Sequence, residues 1–117
     1  MSEALEITSF RLVKGLQLQD FIAANADIDA WLREQPGFKW RRIGMRPDGY
    51  VLDVLLWASA TDAHRSASGI VTEMAGSPVH ATIDHRTVDW TVVECPYVQE
   101  IDATGLCVRG PAGLPRR

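Results

Sequence analysis

The sequence predicts an α+β domain in which two strand and helix units build one antiparallel sheet with both helices on one face. Three observations carry that expectation. The apolar pattern switches from strand-like runs to a three-and-four spacing and back, twice along the chain. Turn chemistry falls at the switches, in Lys14-Gly15, Pro36-Gly37, Arg46-Pro47-Asp48-Gly49 and Gly76-Ser77-Pro78. The run YVLDVLLW, residues 50–57, is apolar at seven of eight positions, so both of its faces need cover.

The first strand is expected over residues 5–13, where Leu5, Ile7 and Val13 share one parity and Phe10 and Leu12 the other. A helix follows from Leu18, with Leu18, Phe21, Asn25, Ile28 and Leu32 as its stripe. Pro36 and Gly37 stop it, since proline disfavours helical geometry in the preceding residue and glycine accepts a turn. Residues 38–45 and 50–57 form a hairpin about the Pro-Asp-Gly turn. Ser59 or Thr61 caps the second helix, whose stripe is Ala63, Ala67, Ile70, Val71 and Met74 and whose propensity Gly69 lowers. Residues 79–84 read as a short irregular turn, and 87–95, TVDWTVVEC, as the last strand. Gly and Pro crowd residues 97–117, which read as a tail, partly mobile or draped on a neighbour, after a domain of residues 1–96.

The order strand, helix, strand, strand, helix, strand is that of a ferredoxin-like βαββαβ domain with a four-stranded antiparallel sheet. Its second face is open, and a strand as apolar as YVLDVLLW would leave a large patch there. A second copy, sheet against sheet, closes it, so the expected partner is the protein itself.

A chain of 117 residues suits one such domain, and 46% hydrophobic with 23% charged residues is ordinary globular composition. The net charge of −3 offers no positive field to a phosphate backbone or an anionic membrane. An RNA-binding sheet would also need a basic, aromatic third strand, which YVLDVLLW is not. No apolar run approaches membrane-spanning length, and Glu3, Glu6, Arg11, Lys14 and Asp20 interrupt the first twenty residues. The expected location is therefore cytoplasmic, with no nucleic-acid or membrane partner. Cys95 and Cys107 have neither metal-knuckle nor redox-pair spacing and read as reduced, structural thiols.

The framework EITSFRL, KG, a helix with DFIAA and WLREQPGF, a hairpin with DGYVLDVLLW and then ASATDA resembles the antibiotic biosynthesis monooxygenase-like proteins of the dimeric α/β barrel superfamily. The resemblance spans residues 4–95, and its most specific parts are the QPGF junction and the Trp57-x-Ser59 that follows the third strand. It implies a homodimer closed into a barrel, with a ligand cavity in each subunit between sheet and helices. Known members include cofactor-independent oxygenases acting on quinol-like aromatics, haem-degrading oxygenases, isomerases and proteins without an assigned role. The expectation is a monooxygenase-type enzyme with no cofactor, taking a small apolar, aromatic or polyketide-like ligand. The alternative is a non-catalytic small-molecule-binding or structural dimer of the same fold, and the second alternative a haem-binding or haem-degrading relative.

Candidate catalytic residues are Asn25 and His64. Asn25 lies within an apolar stripe, where a buried amide either ties helix to backbone or holds a ligand. His64 flanks the second helix's stripe, and a histidine there is either a general base for a phenolic proton or an exposed bystander. Trp57 matches a tryptophan common in the family and either walls a planar ligand or fills the core, while Trp31, Trp40 and Trp90 add flat apolar area. Asp53, the sole charge in its strand, is expected to pair with Arg41 or Arg42, with proton acceptance as its second reading. Trp40 shares parity with Phe38 and Arg42, which leaves open which side of that strand faces a pocket. Haem-degrading relatives use an asparagine in the first strand, a tryptophan and a histidine. Here Thr8-Ser9-Phe10 supplies no asparagine and the second helix no tryptophan, so only His80 matches. His80, Asp84 and His85 lack the order of a common iron triad, and no metal site is expected.

Overall fold

A computed structural model describes residues 2–101 and 107–109, the last three in backbone only. Four strands, β1 (Glu3–Leu12), β2 (Phe38–Met45), β3 (Val51–Trp57) and β4 (Ile83–Cys95), form one antiparallel sheet in the order β2-β3-β1-β4. Helices α1 (Leu18–Ala23), α2 (Ala26–Arg33) and α3 (Ala60–Val71) complete the ferredoxin-like α+β arrangement that the sequence predicts. Residues Glu100–Ile101 (β5) pair with Cys107–Arg109 (β6) in a small ladder of their own. The remainder of the predicted tail, and the Cys107 side chain, lie outside the described residues. No helix among the described residues is long and apolar enough to cross a membrane.

The register sorts residues into two faces, because directly opposed partners point the same way. One transverse row holds Arg41, Leu55, Glu6 and Val92, and the next holds Ile43, Asp53, Thr8 and Trp90. These rows face the helices. On β3 the four residues Val51, Asp53, Leu55 and Trp57 are buried, and the alternate ones, Leu52, Val54 and Leu56, are half-buried. The outer face of the sheet is accordingly apolar, with Leu5 and Ile7 of β1 beside Leu56 and Val54.

Two irregularities change what parity alone implies. In β2, Phe38 pairs with Trp57 and Trp40 already with Leu56, so Lys39 is an extra residue in a bulge. Phe38 therefore packs inward on Trp57, at a ring-centroid distance of 5.5 Å, whereas Trp40 faces outward under the Arg42 guanidinium. Shared parity does not place these residues on one face. In β4 the register shifts between the partners of Ser9 and Arg11. The intervening turn is fixed by Arg11 N–H donating to Thr87 Oγ1 at 2.8 Å and by the Thr87 hydroxyl donating to Asp84 O at 2.7 Å. That detour lets β4 begin at Ile83, four residues before the expected start at Thr87, and a 3-10 turn at Pro78–Thr82 precedes it.

The first predicted helix is in fact two. Asn25 breaks it: its side-chain Nδ2 donates to Phe21 O at 2.7 Å, while Asn25 O accepts from Asp29 N–H to start α2. A short amide that competes for a backbone carbonyl one turn earlier suits such a junction. Ser59 caps α3 through Oγ, which accepts from Asp62 N–H at 3.2 Å. The QPGF junction and the Trp57-x-Ser59 segment prove to be spatial neighbours. Gly37 has φ +81° and accepts from Ala58 N–H at 2.8 Å, and a Cβ there would sit 2.1 Å from the Asp62 carboxylate.

Candidate functional site

Between the inner face of the sheet and the helices lies a cavity of about 470 Å³, a size common for small-molecule sites. Apolar groups make most of its wall, among them Phe10, Phe21, Ile28, Leu55, Val79 and Trp90. Polar and charged side chains interrupt that wall, Asn25, Asp53, Arg41, Glu6, His80 and His85 among them.

Asn25 projects from the α1–α2 junction and is 1% exposed. Its Nδ2 is committed to the Phe21 carbonyl, which fixes the amide orientation, since a carbonyl oxygen only accepts. Asn25 Oδ1 is left as a buried acceptor without a partner on a wall that it lines. Of the two alternatives in the sequence, the tie of helix to backbone is made by Nδ2, and Oδ1 takes no part in it.

Asp53 and Arg41 both reach the cavity, and they pair with each other. Arg41 Nε donates to Asp53 Oδ1 at 3.0 Å and Nη2 to Oδ2 at 2.7 Å, a bidentate pair, while Nη1 reaches Asp29 on α2 at 3.0 Å. Burial alone would pull the Arg41 guanidinium down from its ordinary pKa. The bonds and charges of Asp53 and Asp29 more than reverse this, and its pKa is raised. Arg42, the other expected partner, is exposed on the opposite face.

Glu6 was not among the expected residues. It lines the cavity from β1 and is 8% exposed. Trp57 Nε1 donates to its Oε1 at 2.9 Å, and Trp90 Nε1 to its Oε2 at 2.8 Å. Desolvation raises its pKa above the ordinary value of 4.5, and the negative Asp53 adds to this. The two indole bonds and the Arg41 charge oppose them without cancelling the rise. The signal in the sequence was a lone carboxylate on the parity of Ala4, Thr8 and Phe10 in a strand apolar on both sides.

Trp57, Trp31 and His64 stand off the wall. Trp57 is 0% exposed and belongs to the core, holding Glu6 rather than facing the cavity. Trp31 lies against Gly69 of α3, and its Nε1 donates to Glu73 at 2.9 Å. His64 is exposed and meets Trp90 edge-on at 5.5 Å between centroids. His80 and His85 do line the cavity, ring beside ring at 6.4 Å. Their Nε2 atoms contact the carbonyls of Met74 and His80, at 2.9 and 2.8 Å, so Nε2 is the donor and Nδ1 the free nitrogen in each. Among the described residues no group of three or more His, Cys, Asp or Glu is placed to hold a metal ion.

No protein-family model matches the sequence, and no curated protein does. Solved structures do match in fold. SnoaB, a cofactor-independent oxygenase from Streptomyces nogalater, solved as its N63A mutant, superposes with a TM-score of 0.63 at 15% identity, over 84% of this chain and 97% of that one. A monooxygenase from the ActVA-Orf6 gene of Streptomyces coelicolor, in complex with Nanaomycin D, gives 0.57 at 14% identity, over 80% and 87%. A protein of Chloroflexus aurantiacus named as a candidate antibiotic biosynthesis monooxygenase gives 0.58 at 17%, over 80% and 92%. The chain thus has the fold of the antibiotic biosynthesis monooxygenase-like proteins, as its framework motifs led one to expect. Identities this low speak for the fold and not for the chemistry.

Proposed function

We propose that the protein is a homodimeric oxygenase that takes a hydroxylated aromatic molecule into this cavity and oxidises it with dioxygen, without a bound cofactor. The observation that carries the reading is Asn25 Oδ1, a buried acceptor without a protein partner on the wall of a mostly apolar cavity. A buried acceptor left unmatched costs about 1–3 kcal/mol, and a ligand hydroxyl would recover that cost while the apolar wall holds the ring. The likeness in fold to a cofactor-independent oxygenase supports the same reading.

In this scheme the ring lies against Phe21, Ile28 and Trp90, and Asn25 orients one hydroxyl. Arg41, locked by Asp29 and Asp53, forms a fixed polar end of the cavity opposite its apolar wall. The anion that forms when the hydroxyl proton leaves reacts with dioxygen at a ring C–H. The carbon gains one oxygen as a carbonyl, the other oxygen leaves as water, and the ring becomes a quinone.

The test is oxygen uptake with a panel of dihydroxynaphthalenes, with mass spectrometry of the product. Uptake accompanied by a product that has gained one oxygen and lost two hydrogens supports the reading. Binding without uptake above the protein-free rate sinks it and leaves a small-molecule-binding protein of the same fold.

A further inference from the structure

We propose that Glu6 is the proton acceptor of the cavity: its carboxylate, held between the indoles of Trp57 and Trp90, takes a hydrogen bond and then the proton from a phenolic hydroxyl of the bound ring. The inference rests on the phenolic ligand of the proposed function and adds the residue that handles its proton.

Geometry separates Glu6 from the other carboxylates. Both oxygens of Asp53 are taken by the Arg41 guanidinium, whose charge neutralises them. Each oxygen of Glu6 accepts a single bond, and both donors are neutral indoles. A carboxylate oxygen has two acceptor positions, so each keeps one. The indoles therefore fix the direction of the group without cancelling its charge, the arrangement a base needs. Trp57 comes from the row of Ala4 and Trp90 from the row of Thr8, so Glu6 is gripped from both sides along the sheet. Asn25 accepts but is not basic, and His64 is off the wall.

The charged and titratable neighbours are few. From β2 and β3 Glu6 feels Arg41 and Asp53, with Asp29 of α2 behind Arg41, and from α3 His64 reaches it only across Trp90. The cavity rim adds His80 and His85. The step itself is a proton transfer: the phenolic O–H bond breaks, its electron pair stays on the ring oxygen, and an O–H bond forms on Glu6.

Two probes sharing a ring, 1-naphthol and 1-methoxynaphthalene, separate this role from packing, with binding to the full chain read by calorimetry. The wild type should prefer the naphthol by about tenfold or more, as expected for a hydrogen bond to a charged group. The preference should shrink as pH falls through the raised Glu6 pKa. Glu6→Gln should reduce the naphthol preference to what a neutral acceptor such as Asn25 Oδ1 provides and remove that pH dependence. The amide of that variant would turn an N–H toward one indole N–H, so a second variant, Glu6→Gln with Trp90→Phe, removes that conflict and should give the same reduction. A naphthol preference undiminished in either folded variant overturns the proposal. So does an acid-side loss of preference that survives in them, which moves the role to His80 or His85. Wild type that prefers naphthol but consumes no oxygen with dihydroxynaphthalenes overturns the oxygenase reading and leaves the Glu6 assignment standing.

Discussion

At the scale of single residues, the cavity shows two ways of keeping a carboxylate out of water. Asp53 is paired, and its side chain and that of Arg41 are each 10% exposed. Removing one member of such a pair leaves an uncompensated buried charge, so Arg41→Ala should destabilise the fold by about 3–5 kcal/mol, read by urea unfolding. Glu6 is held by neutral donors, and its folded-state pKa is raised, chiefly by desolvation. Its contribution to stability is therefore fully present below the unfolded value near 4.5 and is lost as pH rises through the folded value. Asp48 and Asp84, lowered chiefly by hydrogen bonds to Tyr50 N–H and to Arg86, act in the opposite direction. Subtracting the stability of Glu6→Gln from that of wild type at each pH cancels them. The difference should fall from about pH 4 upward and level off above the Glu6 pKa. A difference that stays flat would show that Glu6 titrates as it does in the unfolded chain.

At the scale of elements, what the sequence revealed depends on whether a local rule or a tertiary contact decided the outcome. The limits of β2, the hairpin, the Ser59 cap and the Asp53–Arg41 pair were all legible, since turn residues, capping oxygens and a lone charge carry local signals. The break at Asn25 was not, because its apolar neighbours keep a helical spacing straight through the junction. The bulges in β2 and β4 were hidden for a similar reason: they alter register, which depends on the partner strand. Glu6 was passed over because its role comes from two tryptophans, one fifty-one and one eighty-four positions away. Gly69 illustrates a local rule overruled. By propensity alone, Gly69→Ala should strengthen α3 by roughly 1 kcal/mol. A Cβ there, however, would lie 2.6 Å from the Trp31 ring, whose Nε1 is tied to Glu73. The expected outcome is a net loss of about 1–2 kcal/mol by thermal unfolding. A rise in Tm would show that the indole moves aside freely.

At the scale of the whole molecule, the outer face of the sheet is the surface through which the proposed dimer would form. Leu5, Ile7, Leu52, Val54 and Leu56 form an apolar field that no helix of the described residues covers, and Val93 beside Leu5 is 44% exposed. The proposed homodimer buries it. Light scattering at micromolar concentration should give about twice 13.0 kDa, and Val54→Lys, which sets a charge opposite Ile7 and Arg42, should yield the single chain. A wild-type monomer would rule out the sheet-to-sheet closure.

The bulge at Lys39 sets the phase of all that follows it in β2. A strand is a two-beat pattern, and Lys39 is one extra beat, so Phe38 and Arg41 both land facing the helices although their numbers differ in parity. Lys39 is thus a position at which the chain can be shortened without turning its successors over. Its deletion should leave Arg41 on Asp53 and remove the ion pair with Glu3, in which Lys39 is 41% and Glu3 9% exposed. Deleting Arg42 instead would turn Ile43 outward, and urea unfolding should find that shortening much the more damaging of the two.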